Sequence, residues 1–118
     1  MTNLNQLKKT NLDDSQKQLI SQVDAIAKEI RSGKVDGKKI ESAYEYLEDA
    51  LNILHYINQS GEHMGGEIMI AFGGPNIYID TRSKEVKGFW GGDTYTNWYA
   101  EDAIDLDMAL EEMYEAIN

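Results

Sequence analysis

Apolar residues first recur along the chain at a helical spacing. Leu12, Leu19, Val23, Ile26 and Ile30 lie seven, four, three and four residues apart, one stripe of an amphipathic helix. Asn11, Asp13 and Asp14 supply cap and dipole chemistry at its start, and Gly33 suits a left-handed stop. Residues 1–10 are polar and are expected to fray. After a short connection, Asp36 is placed to cap a second helix from Gly37 to Asn58. Its apolar face is Ile40, Ala43, Tyr44, Leu47, Leu51, Leu54 and Ile57, widened by Tyr46, Ile53 and Tyr56. Residues 11–58 thus read as an antiparallel αα-hairpin.

The period changes after Gln59–Gly66, a stretch with three glycines that reads as a loop. Glu67–Phe72 is a short apolar run, Asn76–Asp80 alternates, and Glu85–Trp90 is a third strand, with a turn at Gly73-Gly74-Pro75. Thr94–Tyr99 suits either a fourth strand or an aromatic loop. From about Ala100 to Ile117, Ala103, Leu106, Leu110, Met113 and Ile117 repeat at helical intervals. The expected fold is α+β in the order ααβββ(β)α, one domain over 1–118: a helical hairpin (11–58), an antiparallel sheet (67–99) and a terminal helix (100–117).

Composition narrows the setting. The chain of 118 residues has no cysteine, which excludes disulfide frameworks and thiolate chemistry and fits a reducing cytosol. No apolar run reaches the roughly 20 residues of a membrane span, and Met1–Thr10 lacks the apolar core of a signal peptide. A cytoplasmic location is therefore expected.

Charge gives the sharpest signal. The net charge is −10, yet the chain up to Gly92 carries 13 acidic against 11 basic residues. The last 26 residues hold eight acidic residues and no basic one. Such a segment repels phosphate backbones and anionic membranes and attracts cationic surfaces.

On a helical wheel, Glu101, Asp105, Asp107, Glu111, Glu112 and Glu115 gather opposite the apolar side formed by Ala103, Leu106, Leu110, Met113, Tyr114 and Ile117. Asp93 and Asp102 extend the field into the preceding loop. Residues four apart on a helix are separated by about 6 Å, the order of the step between phosphates on one strand. The row would therefore act as a nucleic-acid mimic toward a protein built to grip nucleic acid. An amphipathic helix also needs a solvated polar face, and carboxylates are ordinary there. What sets this face apart is the lack of any lysine or arginine, since like charges four apart cost helix stability.

The aromatics form a second constellation. Trp90, Tyr95, Trp98 and Tyr99 follow closely spaced glycines, and strand alternation cannot bury all of them on one face. Trp90 and Trp98 are the candidate interface anchors, with core packing as the alternative.

Catalytic signatures are poor. Gly73-Gly74 and Gly91-Gly92 match neither the dinucleotide fingerprint nor the phosphate-binding loop. His55 and His63 are the only histidines; with Glu62 they offer metal-ligand chemistry, but their placement at a helix end and in a loop is equally natural. Asp105 and Asp107 lack the glycine and closing glutamate of a calcium loop. No catalytic residue, metal or cofactor is expected.

In size, charge and make-up the chain resembles the small acidic anti-defence proteins of phages and plasmids, of the anti-CRISPR and antirestriction type. The resemblance rests on the Gly73–Asp93 segment (Gly-Gly-Pro-Asn-Ile-Tyr-Ile-Asp-Thr and Gly-Phe-Trp-Gly-Gly-Asp) and the acidic helix after it, under half of the chain. Such proteins share no common fold, so no residue carries over by position. The resemblance implies a stoichiometric inhibitor that occupies the nucleic-acid-binding surface of a host defence nuclease.

The expected contact residues are Trp90, Asp93, Trp98, Glu101, Asp102, Asp105, Glu111, Glu112 and Glu115, with no direct binding of nucleic acid or membrane. Three alternatives stand beside this reading. One is an immunity protein that neutralises a toxin nuclease. Another is a small-molecule binder or enzyme using the glycine turns. The third is a homodimer through the aromatic face.

Overall fold

The structure is a computed structural model that describes residues 2–6 and 11–117. It is mixed α+β, a six-stranded sheet with helices on one face and a small separate hairpin. Helix α1 spans Asp14–Ser32 and buries Leu19, Val23, Ala27 and Ile30. A capping box closes its start: the Asp13 carboxylate accepts the Gln16 N–H at 2.8 Å, and Gln16 Oε1 accepts the Asp13 N–H at 3.0 Å. Gly33 ends it in the left-handed conformation, φ 72°, donating its N–H to the Glu29 carbonyl at 2.8 Å.

The expected second helix does not form. Strands β2 (Lys34–Val35) and β3 (Lys38–Lys39) make a hairpin whose turn residues, Asp36 and Gly37, both have positive φ, 50° and 79°. Asp-Gly favours this two-residue turn, and here that preference prevails over helix capping. Only one helical turn follows, α2 (Ala43–Tyr46), started by the Ser42 hydroxyl accepting the Glu45 N–H. Asn52–Ile57 is then strand β4. Its apolar residues suit a helical stripe in isolation; a partner strand and β-branched, aromatic side chains decide for the sheet.

That partner is β5 (His63–Ala71), which is longer than expected because Gly65 and Gly66 belong to it. An added Cβ on Gly66 would lie 2.6 Å from the Leu54 carbonyl oxygen. The glycine permits close backbone approach and does not mark a loop. β6 (Asn76–Asp80), β7 (Glu85–Trp90) and β8 (Asp93–Trp98) complete an antiparallel meander, so 94–98 is strand.

Two further expectations are corrected at the chain's ends. β1 (Thr2–Asn3) pairs parallel with β8, and Leu4 is buried. The Asn5 side chain donates to the Thr96 carbonyl at 2.7 Å and accepts the Thr96 N–H at 2.9 Å, extending the edge. The fraying expected of residues 1 and 7–10 concerns positions outside the described residues. The last helix, α3, spans Leu106–Ala116 and not 100–117. Residues 100–105 instead cross the end of α1, where the Ala103 N–H donates to the Ile30 carbonyl at 3.2 Å. Ala100 and Asp105 take positive φ there, 66° and 61°. Ala103 and Ile117, expected on the apolar side, are exposed.

The sheet order is β1-β8-β7-β6-β5-β4. The cross-strand row Ile53, Ile68, Ile79, Val86 and Asn97 lies on the helix-covered face. α1 packs on β7 and β8, and α3 packs on β5. Asp24 of α1 accepts from Tyr95 Oη at 2.7 Å and Asn97 Nδ2 at 2.8 Å, tying that helix to β8. Burial first, and then Asp24, pushes the Tyr95 pKa up to about 12. Among the described residues, no helix is long and apolar enough to cross a membrane.

Candidate functional site

The acidic residues concentrate at one end of the sheet. α3 buries Leu106, Ala109 and Leu110 and turns Asp107, Glu111, Glu112 and Glu115 outward, all exposed. Glu111 and Glu115, one turn apart, line a depression of about 250 Å³ with Glu62, His63 and Tyr114. Glu112 accepts the Tyr44 hydroxyl at 2.8 Å, which raises that phenol's pKa. Glu101 and Asp105 are exposed on the crossing segment rather than on a helix.

Asp102 has a structural task. Its carboxylate accepts the N–H groups of Leu106 at 2.8 Å and Asp107 at 3.1 Å, satisfying donors at the start of α3. Asp105, the residue before the helix, makes no side-chain cap of its own. We expect Asp102→Ala to lower stability by about 1 kcal/mol, read as a drop of a few degrees in Tm, with Asp102→Asn milder.

The carboxylates at this end form no ion pair among the described residues. Among the described residues the only ion pair is Lys87–Asp80 at 3.1 Å, on the opposite face of the sheet. Burial alone would raise the Asp80 pKa, but the Lys87 ammonium and the N–H groups of Ser83 and Arg82 hold it below its usual value. Arg31 donates to the carbonyls of Trp98 at 3.2 Å and Tyr99 at 3.3 Å, so its hydrogen bonds go to the backbone. Lys84 and Arg82 share a depression with Asp107 and Glu111 without forming an ion pair. Tyr99, just before the crossing segment, is buried. Burial first, then the carboxylates of Asp102, Asp107 and Asp80, drives its pKa well up.

The aromatic anchors do not converge. Trp90 pairs with Asp93 at one end of the β7–β8 hairpin, and Trp98 pairs with Glu85 at the other. They also point to opposite faces. Trp90 packs half-buried against the core on the helix side, and the Asp93 carboxylate beside it accepts Gln16 Nε2 at 3.4 Å. Trp98 is 61% exposed on the helix-free face, next in the chain to the acidic crossing. Of the nine residues singled out, seven therefore lie toward one end, and Trp90 and Asp93 lie away from them.

Sequence reasoning missed the helix-free face. The row Leu54, Glu67, Asp80, Glu85 and Trp98 crosses it, with Tyr78 and Phe89 in edge contact, ring centroids 6.0 Å apart, farther along. Strict alternation in β6 and β7 would have revealed it. Positions for a Cβ on Gly73, Gly74, Gly91 and Gly92 look onto open space, and none of these glycines lines the depressions described above. Among the described residues no three His, Asp or Glu side chains converge as a metal site requires. Comparison with protein-family models, with curated proteins and with solved structures finds no match to this chain.

Proposed function

We propose that this protein is a stoichiometric inhibitor, of the anti-CRISPR or antirestriction kind, that occupies a basic nucleic-acid-binding surface on its partner. Glu101, Asp105, Glu111, Glu112 and Glu115 supply the electrostatics, and Trp98 supplies an exposed anchor at the same end. One observation carries the reading: these carboxylates project from an ordered scaffold with no ion pair to the protein's own cations among the described residues. A negative field steers a cationic partner, and an exposed tryptophan that becomes buried on binding adds affinity.

Affinity capture with the full chain from a host lysate, followed by association kinetics with the captured protein, tests this. The expected partner is a basic nucleic-acid-binding protein. Its on-rate should fall about tenfold or more as ionic strength rises from about 0.01 M to about 0.15 M, where screening shortens from about 30 Å to about 8 Å. A salt-independent on-rate, or a partner with no nucleic-acid-binding surface, would overturn the proposal. Recovery of a toxin nuclease would instead place the protein among immunity proteins, with the same contact physics.

A further inference from the structure

The two edges of the sheet are finished differently. At one edge β1 is two residues long, and beyond it the Asn5 side chain takes over the pairing with both backbone groups of Thr96. At the other edge, β4 has β5 as its single strand neighbour among the described residues. Edge strands are ordinarily shielded from further pairing by charge, proline, a bulge or extreme brevity. β4 has none of these. Asn52-Ile53-Leu54-His55-Tyr56-Ile57 is six residues long and holds no charged residue and no proline. The irregularity between His55 and Ile57 places its extra residue on β5, where three steps from His63 to Gly66 face two on β4. Gly65, with φ 102°, absorbs it there and leaves β4 regular.

The register shows which backbone groups of β4 point outward. Gly66 donates its N–H to the Thr81 hydroxyl at 2.9 Å, and its carbonyl accepts the Thr81 N–H at 3.0 Å, so both groups turn away from β4. His55, opposite Gly66, therefore directs its own N–H and carbonyl away from β5. Alternation adds Ile53 and Ile57 to this outward set and turns Asn52, Leu54 and Tyr56 toward β5. Asn58, which donates to the Glu62 carbonyl at 3.0 Å, keeps the same parity. Side chains alternate as well. His55 meets His63 at 2.9 Å and Tyr114 of its own chain on the helix side, whereas Leu54, 53% exposed, and Tyr56 stand on the helix-free face.

A row of outward N–H and carbonyl groups fits another extended strand. The residue order selects this same strand from a second copy. Two apolar residues flank His55 on each side, so a two-fold axis through His55 sets Ile53 opposite Ile57 of the second copy and Leu54 opposite its Tyr56. In that antiparallel register Ile53, His55 and Ile57 fall in the hydrogen-bonded pairs, about six backbone bonds in all. Aliphatic and aromatic side chains meet across the axis, and such cross-strand pairs favour association. Tyr56 is already held by the Arg82 guanidinium, 4.9 Å from its ring centroid, and by Glu67 at 3.3 Å, so it loses little freedom on pairing. No carboxylate enters the contact, which matters in a chain of net charge −10. A strand of unrelated sequence would share the hydrogen bonds but not this symmetry.

We propose that β4 is a dimerisation edge, at which two copies of this chain pair β4 with β4, antiparallel about His55, and join their sheets into one. The axis stands perpendicular to the sheet, so the helices of both copies lie on the same side. Glu62, Glu111 and Glu115 border the His63 end of β5 beside the contact without entering it. Their like charges oppose each other across the axis, and salt screens that opposition. Self-association therefore tightens with salt, opposite in sign to the partner binding proposed above. The two readings stand apart: the dimer uses β4 and leaves Trp98, at the far side of the sheet, uncovered.

Sedimentation of the full chain between about 10 µM and about 1 mM should show a monomer–dimer equilibrium, from 13.4 kDa toward twice that mass, displaced toward dimer by added salt. Amide hydrogen exchange on the unaltered protein then locates the contact. Across this range the amides of Ile53, His55 and Ile57 should gain about tenfold in protection, while those of Leu54 and Tyr56, turned toward β5, change little. Replacing Leu54 and Ile57 together with lysine should weaken self-association about tenfold or more with little change in Tm, since both side chains are exposed. That loss is expected although the lysines lower the net negative charge and so ease the approach of two copies. A chain that stays monomeric throughout would overturn the proposal. So would a dimer in which the three outward amides gain no protection, or a folded lysine variant that dimerises as tightly as the unaltered protein. Where the variant does not fold, the exchange pattern decides alone.

Discussion

Replacing Glu101, Glu111 and Glu115 together with lysine should abolish binding to the captured partner while leaving thermal unfolding close to that of the unaltered protein. All three side chains are exposed, and none forms an ion pair among the described residues. Their removal therefore withdraws little from the folded state. Lysine near the end of α3 also complements the helix dipole by a few tenths of a kcal/mol, which offsets new repulsion between positions 111 and 115. The formal charge rises by six units from −10, all at the end proposed to meet the partner. Loss of steering alone slows association by about 10- to 1000-fold, and like-charge contact with a basic surface removes what affinity remains. Titration calorimetry and a melting curve on the same sample separate the two quantities. Unchanged inhibition by the triple variant would refute the acidic surface as the binding site, whatever the partner.

Gly66→Ala should destabilise the protein by about 1–3 kcal/mol, a large share of the about 5–15 kcal/mol that holds a typical domain. The new methyl would sit 2.6 Å from the Leu54 carbonyl oxygen and 3.3 Å from Leu110 Cδ1. A backbone oxygen engaged in the sheet cannot step aside as a side-chain end can, so β4 and β5 must part or α3 must lift. Gly88→Ala provides the control. Its Cβ would meet side chains of α1 rather than backbone, Val23 Cγ2 at 2.6 Å and Leu19 Cδ1 at 2.7 Å, which can give only if the helix shifts. Equilibrium denaturation of the two variants should rank Gly66→Ala as the costlier. The reverse order would show that α1 is held more rigidly than the β4–β5 pairing.

The parts of the fold legible in the sequence are those where local chemistry and tertiary packing agree. α1 has its stripe, its capping box and its glycine stop within one window, and nothing elsewhere in the chain competes for them. β6 and β7 alternate cleanly, so their faces were readable too. Residues 34–58 failed for a specific reason. Leu47, Leu51 and Leu54 keep helical spacing, yet Asp36-Gly37 makes a hairpin turn and residues from Asn52 onward are claimed by β5. The pairing Thr2–Asn3 with Asp93–Thr94 joins segments some ninety residues apart, beyond any window-based reading.

The same contrast divides the candidate site. Carboxylates without compensating cations are a matter of counting, so the acidic character of the C-terminal region was plain. Which of them sit on the helix was not, because the start of α3 is set by where the crossing segment meets α1. Trp90 and Trp98 were separable in principle: a Gly91-Gly92 turn and strict alternation send residues 90 and 98 to opposite ends and opposite faces. The His55–His63 contact was hidden by the helical reading of residues 52–57, since only a strand pairing can juxtapose them.

The carboxylate of Asp24 turns an oily contact into an indexed one. Leu19, Val23, Ala27 and Ile30 bury α1 against the sheet, but the hydrophobic effect that drives this burial is itself non-directional. Tyr95 and Asn97, both reaching the same oxygen of Asp24 from one strand, admit a single setting. The lengthwise setting of the first helix is thereby written in two polar contacts to a single carboxylate oxygen.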